Sequence, residues 1–137
     1  MNMNIQGVET TQINNQFITQ LKTAEDLANL LNNNEGLVII KLGATWCAPC
    51  KKVDPLIMQW YEKLNHEKIT RIVLDIDENI DLYGFYKKKR VVRGVPTILA
   101  YYYENVHYIP DDITFGSDEN ETNAFFNRCI EYLKENH

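Results

Sequence analysis

Six residues, Leu37-Val38-Ile39-Ile40-Lys41-Leu42, form an apolar run broken once, and the chain turns from it almost directly into Trp46-Cys47-Ala48-Pro49-Cys50-Lys51. A short, β-branched apolar run of this kind suits a central strand covered on both faces. Its C-terminal end delivers two cysteines separated by two residues, a spacing that closes a small disulfide at the first turn of a helix. There the unpaired backbone N–H groups and the helix dipole favour a thiolate. The stretch reads as a redox site, and it fixes a strand, a tight turn and a helix in that order.

The remaining segments fall around this unit. Residues 1–12 read as a flexible polar extension and residues 13–137 as a single domain, long enough to bury a core without staples. A short strand is expected around residues 16–21, carrying Phe17 and Leu21. Thr23 then offers an N-cap, with Asp26 three residues later and Leu27, Leu30 and Leu31 at helical spacing, so residues 23–33 read as a helix ending near Gly36. Val53, Leu56, Ile57, Trp60, Tyr61 and Leu64 give residues 47–66 a helical period, with Pro55 inside it. Residues 69–76 read as a buried strand and residues 77–89 as a turn and short helix. Gly94-Val95-Pro96-Thr97 leads into a strand over residues 98–103. Glu104 and Asn105 suggest a hairpin turn into a strand over residues 106–109, followed by a loop over 110–118 and a last helix over 118–135. Alternating strands and helices imply parallel crossovers and the closing hairpin adds antiparallel pairing. The expectation is an α/β fold with a mixed sheet of about five strands flanked on both faces by about four helices.

Charge and cysteine usage exclude several classes. A net charge of −5 gives no electrostatic case for general binding to nucleic acid or an anionic membrane. Three cysteines are too few for a disulfide-framework scaffold. His66, His107 and His137 are scattered, so no metal site is expected within one chain. The first sixteen residues carry neither a basic start nor an apolar block, and no segment reaches transmembrane length. A reducing, cytoplasmic location is therefore expected, with no cofactor beyond the cysteine pair itself.

Taken together, Trp46-Cys47-Ala48-Pro49-Cys50-Lys51, Pro55 five residues after the second cysteine, and Gly94-Val95-Pro96-Thr97 before a strand resemble the thioredoxin family from about Phe17 to Leu133. The resemblance implies that Cys47 is the exposed attacking thiolate and Cys50 the more buried resolving thiol. Cys47 would attack a substrate disulfide, and Cys50 would then attack the mixed disulfide. A thiol pKa near about 7 balances thiolate population against nucleophilicity. Pro49 should stiffen the loop and, as in the Gly-Pro loop of reducing members, favours a reductase. Val95-Pro96 resembles the family's cis-proline site, presenting the Val95 backbone to an extended substrate. Trp46 and Gly116 would complete that substrate groove.

The chain departs from the family pattern where thioredoxins usually keep a buried Asp with a Lys partner on the adjacent strand. Here Lys41 occupies the first position and Val73 the second. Lys41 is expected either to reach Asp75, to sit beside Cys50 and favour its thiolate, or to snorkel to solvent. Asp54, four residues after Cys50 and hence on the same helical face, is a second candidate to act on the pair, with a turn outward to water as the expected reading. Cys129, among Phe125, Phe126, Ile130 and Leu133, reads as a buried core thiol. The tetrad Lys87-Lys88-Lys89-Arg90, with Arg93 nearby, reads as a solvated helix end, with docking of an acidic partner as the alternative. Tyr101, Tyr102, Tyr103 and Tyr108 read as sheet aromatics.

The expected activity is protein disulfide reduction, with disulfide-containing proteins as substrates and thioredoxin reductase or an equivalent dithiol donor as partner. Two alternatives stand beside it: a binding or folding-assistance module that keeps the scaffold with weak redox activity, and a disulfide isomerase or oxidase.

Overall fold

A computed structural model describes residues 17–136, so the extension expected over residues 1–12 lies outside the described residues. The elements are α1 (Ala24–Asn32), β1 (Leu37–Gly43), α2 (Ala48–Lys63), β2 (Ile69–Asp75), α3 (Ile80–Lys88), β3 (Thr97–Tyr102), β4 (Asp112–Phe115) and α4 (Glu119–Asn136). The sheet runs β2-β1-β3-β4, with β1 parallel to β2 and antiparallel to β3, and β4 antiparallel to β3. The mixed α/β sandwich is the expected one, with four strands among the described residues. The strand expected at 16–21 contributes a single parallel bridge, Ile18 to Ile72. Beyond it the chain bends away: Leu21 N–H donates to the buried Asn79 side chain at 2.9 Å instead of to a strand.

All seven residues of β1 are buried, because strands flank it on both sides and helices cover both faces. The pleat sorts its side chains. Val38, Ile40 and Leu42 join Leu27, Leu31, Leu82 and Tyr86 of α1 and α3 on one face. Leu37 and Ile39 join Val53, Ile57, Tyr61, Phe125 and Cys129 of α2 and α4 on the other. By the same alternation Lys41 points to the α2 side. Thr23 caps α1 through its hydroxyl, which accepts from Asp26 N–H at 3.0 Å, and α2 continues through Pro55.

The closing hairpin differs from expectation. Residues 106–109 form no strand, and β4 begins at Asp112 inside the segment expected to be a loop. Asn105 is the reason. Its side-chain N–H groups donate to Ile109 O (3.1 Å) and Asp111 Oδ2 (2.9 Å), and its Oδ1 accepts from His107 N–H (2.8 Å). These bonds, with Glu104 at φ 75°, wind the chain into a compact loop that satisfies itself locally. Tyr108 consequently belongs to that loop and packs edge-on against Phe85. Tyr101 is fully buried, its hydroxyl donating to Tyr108 O at 2.6 Å while Tyr86 OH lies 2.6 Å away.

Candidate functional site

Chain order builds the site at the C-terminal end of β1. After Gly43 the backbone turns, Cys47 N–H donating to Ala44 O at 3.2 Å, and α2 starts at Ala48 with Pro49 in its first turn. Cys47 is the N-cap: its Sγ accepts from Cys50 N–H at 3.2 Å, which places the sulfur on the positive end of the helix dipole. Cys47 and Cys50 are joined in a disulfide with Cα atoms 5.2 Å apart. In this oxidised form both are buried, Cys47 at 4% and Cys50 at 1% exposure, so the expected contrast between an exposed and a buried thiol is small.

The second wall comes from the loop before β3. The Val95–Pro96 peptide bond is cis, as the resemblance implies, and Val95 O lies 3.8 Å from Cys47 Sγ. Gly116 N–H donates to Pro96 O at 2.9 Å, and its φ of 104° is a conformation that glycine adopts without a Cβ penalty. Trp46 is 65% exposed and is anchored by its indole N–H donating to Asp77 Oδ2 at 2.7 Å. Nothing in the sequence marks Asp77 as that anchor. The structure thus joins Cys47, Cys50, Val95, Pro96 and Gly116 through a chain of direct contacts, with the exposed Trp46 next to Cys47.

Beneath Cys50 lies the departure from the family pattern. Lys41 is 7% exposed, pairs in register with Val73 as expected, and its Nζ is 2.7 Å from Asp54 Oδ1. Two expectations are corrected by this contact. Asp54 turns inward rather than to water, because helical spacing sets it one turn below Cys50 on the face over β1. Lys41 does not reach Asp75, which is level with Gly43 and accepts from Asp77 N–H at 2.9 Å. Apart from the ammonium, Asp54 Oδ1 has no hydrogen-bond partner among the described residues. A cavity of about 370 Å³ opens beside the pair, lined by Val73 and Asp75 among others. Gly43 keeps space open above it: a Cβ there would lie 3.2 Å from Lys41 Nζ and 3.7 Å from Cys50 Sγ. The ammonium and the sulfur therefore flank the same point.

Cys129 is the buried core thiol the sequence suggested, and burial pushes it up to about 12, with the Asp112 carboxylate adding to the rise. The tetrad is solvated as expected, with Lys87 and Lys88 in the last turn of α3. Among the described residues no group of His, Cys, Asp or Glu is placed to hold a metal ion, and no helix is long and apolar enough to cross a membrane.

Comparison with known proteins converges on one family. The profile of the family described as Thioredoxin matches residues 18–125. Thioredoxin-2 of Saccharomyces cerevisiae is 33% identical over 85 residues, covering 62% of this chain and 76% of the yeast protein. Mitochondrial thioredoxin of Mus musculus is 31% identical over 105 residues, covering 77% of this chain and 58% of its own length. Among solved structures, Trichomonas vaginalis thioredoxin superposes with a TM-score of 0.63 at 25% identity, covering 81% of this chain and 96% of its own. Malassezia sympodialis thioredoxin shares the fold, with a TM-score of 0.61 at 18% identity over 84% of this chain and 95% of its own. The profile match runs from the bridge at Ile18 to Phe125 in α4, taking in every strand of the sheet and both cysteines; on that ground the chain belongs to the thioredoxin family.

Proposed function

We propose that this chain is a protein disulfide reductase in which Cys47 attacks and Cys50 resolves. The observation that carries this reading is the Cys47–Cys50 disulfide capping α2 beside the cis Val95–Pro96 bond. In the reduced protein the Cys47 thiolate attacks one sulfur of a substrate disulfide. The substrate S–S bond breaks, its second sulfur leaves as a thiolate, and a mixed disulfide forms on Cys47. The deprotonated Cys50 then attacks Cys47 Sγ, expelling the first substrate sulfur and closing Cys47–Cys50. Two electrons pass from the protein dithiol to the substrate, whose two thiolates take up the protons that Cys47 and Cys50 released.

The helix N-terminus favours the Cys47 thiolate, and Pro49 fixes the backbone between the sulfurs. The Lys41 ammonium beside Cys50 favours its thiolate at the resolving step, and Asp54 holds that ammonium in place. Trp46, Val95, Pro96 and Gly116 line the path of an extended substrate. Thioredoxin reductase or an equivalent dithiol donor returns the pair to its reduced form, in a reducing compartment such as the cytosol where such a pair can cycle.

Insulin disulfide reduction driven by dithiothreitol, comparing wild type with Cys47→Ser and Cys50→Ser, tests the reading. Turnover that depends on both cysteines supports it. Turnover that survives their replacement, or none in wild type, overturns it in favour of a binding scaffold, and the reduction potential separates a reductase from an oxidase.

A further inference from the structure

We propose that the free edge of β4 is a docking strip for an extended acidic segment of the protein substrate, Ile113 and Phe115 receiving an apolar side chain and Arg90 and Arg93 receiving carboxylates. This rests on the reductase reading and names the substrate class for the same site.

β4 pairs with β3 along one edge, and no strand among the described residues lines the other. Ile113 and Phe115 stand opposite Leu99 and Thr97, on the α3 side of the sheet, yet remain 40% and 43% exposed. A cavity of about 440 Å³ follows this edge. Arg90 and Arg93 line its α3 side, and both are exposed. The Arg93 guanidinium lies 5.1 Å from the centre of the Phe115 ring, which holds it over the strip. On the α4 side Arg128 is occupied by Asp112, its Nε 2.7 Å from Oδ2 and its Nη2 3.0 Å from Oδ1, and Glu121 completes that wall. The attraction for carboxylates is therefore concentrated at the Arg90 and Arg93 end.

Charge complementarity selects the occupant. The chain carries −5 overall, but residues 87–93 hold Lys87, Lys88, Lys89, Arg90 and Arg93 with no acid among them. Lys87 Nζ donates to Arg93 O at 2.9 Å, joining the tetrad to Arg93 as one cluster. A second copy of this chain would bring the same arginines to the same edge and place like charges opposite each other. The Ile113 N–H is already taken by Asp112 Oδ1 at 2.8 Å, so an extended peptide is held by its side chains, which alternate between the apolar and cationic positions along β4.

The strip continues from the reactive sulfur. Arg93 is two residues before Val95, whose carbonyl lies 3.8 Å from Cys47 Sγ, and Phe115 precedes Gly116, which is bonded to Pro96 O. A segment crossing Val95 reaches Arg93 within about three residues of the attacked cysteine, at about 3.3 Å per residue. The preferred substrate is thus a protein whose reactive cysteine has acidic residues at that distance along an extended stretch.

Two short peptides test this, identical except for Asp or Lys about three residues from a central cysteine carried as a mixed disulfide with a chromophoric thiol. Wild type should reduce the acidic peptide with about ten-fold higher kcat/KM, a preference that shrinks at about 0.5 M salt. The double variant Arg90→Asn, Arg93→Glu should lose or invert the preference while reducing a small uncharged disulfide at the wild-type rate. Asn is chosen because Arg90 sits at φ 62°. Equal kcat/KM for the two peptides, with the small disulfide still reduced, overturns the strip and leaves the reductase reading standing. No turnover of any disulfide overturns the reductase reading instead. The strip is then decided by binding of the same peptides with Ser in place of Cys: several-fold tighter binding of the acidic one with amide shifts along Asp112–Phe115 supports it, and equal binding overturns it. A concentration-dependent dimer that shifts the same amides also overturns it.

Discussion

Lys41 Nζ and Asp54 Oδ1 meet at 2.7 Å, the ammonium supplied by the central strand and the carboxylate by the helix that carries both cysteines. Each charge holds the other at the wall beside Cys50, so removing them singly should move the resolving thiol in opposite directions. With Cys47→Ser as background, Cys50 is the titrating thiol of the pair. Lys41→Met leaves a lone carboxylate nearby and should make the Cys50 thiolate harder to form, whereas Asp54→Asn leaves a lone ammonium and should make it easier. Thiolate absorbance or the pH dependence of alkylation reads both. Shifts of the same sign, or none, would remove the pair from the resolving step.

Stability should respond differently from reactivity at the same pair. Either single substitution strands a largely buried charge and should cost about 1–3 kcal/mol, less than a fully enclosed pair because Asp54 is 35% exposed. The double variant Lys41→Met, Asp54→Leu should recover most of that loss in urea denaturation. Gly43→Ala should cost less than either single substitution, since the Lys41 ammonium 3.2 Å from the new Cβ is the end of a flexible side chain and needs to give by only a few tenths of an ångström.

The buried tyrosines give an ordered pair of predictions. Tyr101 OH donates to Tyr108 O, so the hydrogen between the two hydroxyls comes from Tyr86. Tyr101→Phe strands both a hydroxyl and a carbonyl and should cost about 2–4 kcal/mol. Tyr86→Phe removes only the outer donor and should cost about 1 kcal/mol. Equal losses in denaturant titrations would contradict the direction of the chain.

Cys129 should make stability fall at alkaline pH. Burial holds the folded thiol up at about 12 against an ordinary value of 9.0. Below about pH 9 both folded and unfolded states keep the proton and nothing changes; above it the unfolded chain ionises first. Stability should then decline by up to about 1.4 kcal/mol per pH unit until the folded thiol also titrates. Burial also raises Tyr61, Tyr86 and Tyr101, so the Cys129 share is the difference between wild type and Cys129→Val over that window. The native thiol should resist alkylation near about pH 8 and react once the chain is unfolded.

The Trp46 anchor should matter for protein substrates more than for small ones. Asp77→Ala removes the acceptor 2.7 Å from the indole N–H, a bond worth about 0.5–1.5 kcal/mol. Reduction of a protein disulfide should slow by about two- to ten-fold. A small uncharged disulfide, which needs no groove, should be reduced at the wild-type rate.

The central strand, the helix that follows the cysteines and the cis-proline loop are legible in the sequence because their signals are local and agree: a β-branched run, a capping sulfur with Pro49 behind it, and Pro96 at a strand start. The hairpin is not. Val106–Ile109 has apolar residues at strand spacing, but the outcome is set by how many hydrogen bonds one side chain, Asn105, can make with the loop around it. Asp54 is misread for a similar reason. Its helical position is plain, while its inward turn depends on Lys41, a cation thirteen residues upstream on another element. The Arg93 contact with Phe115 likewise joins segments that only the folded sheet brings together.

The burial of β1 on every side has a consequence for exchange with solvent. Its backbone amides lie between two strands and under helices on both faces, so their deuterium uptake should wait for global unfolding and be among the slowest in the protein. Lys41 rides on that strand, which makes the ammonium a fixed reference while Cys47 and Cys50 open and close above it.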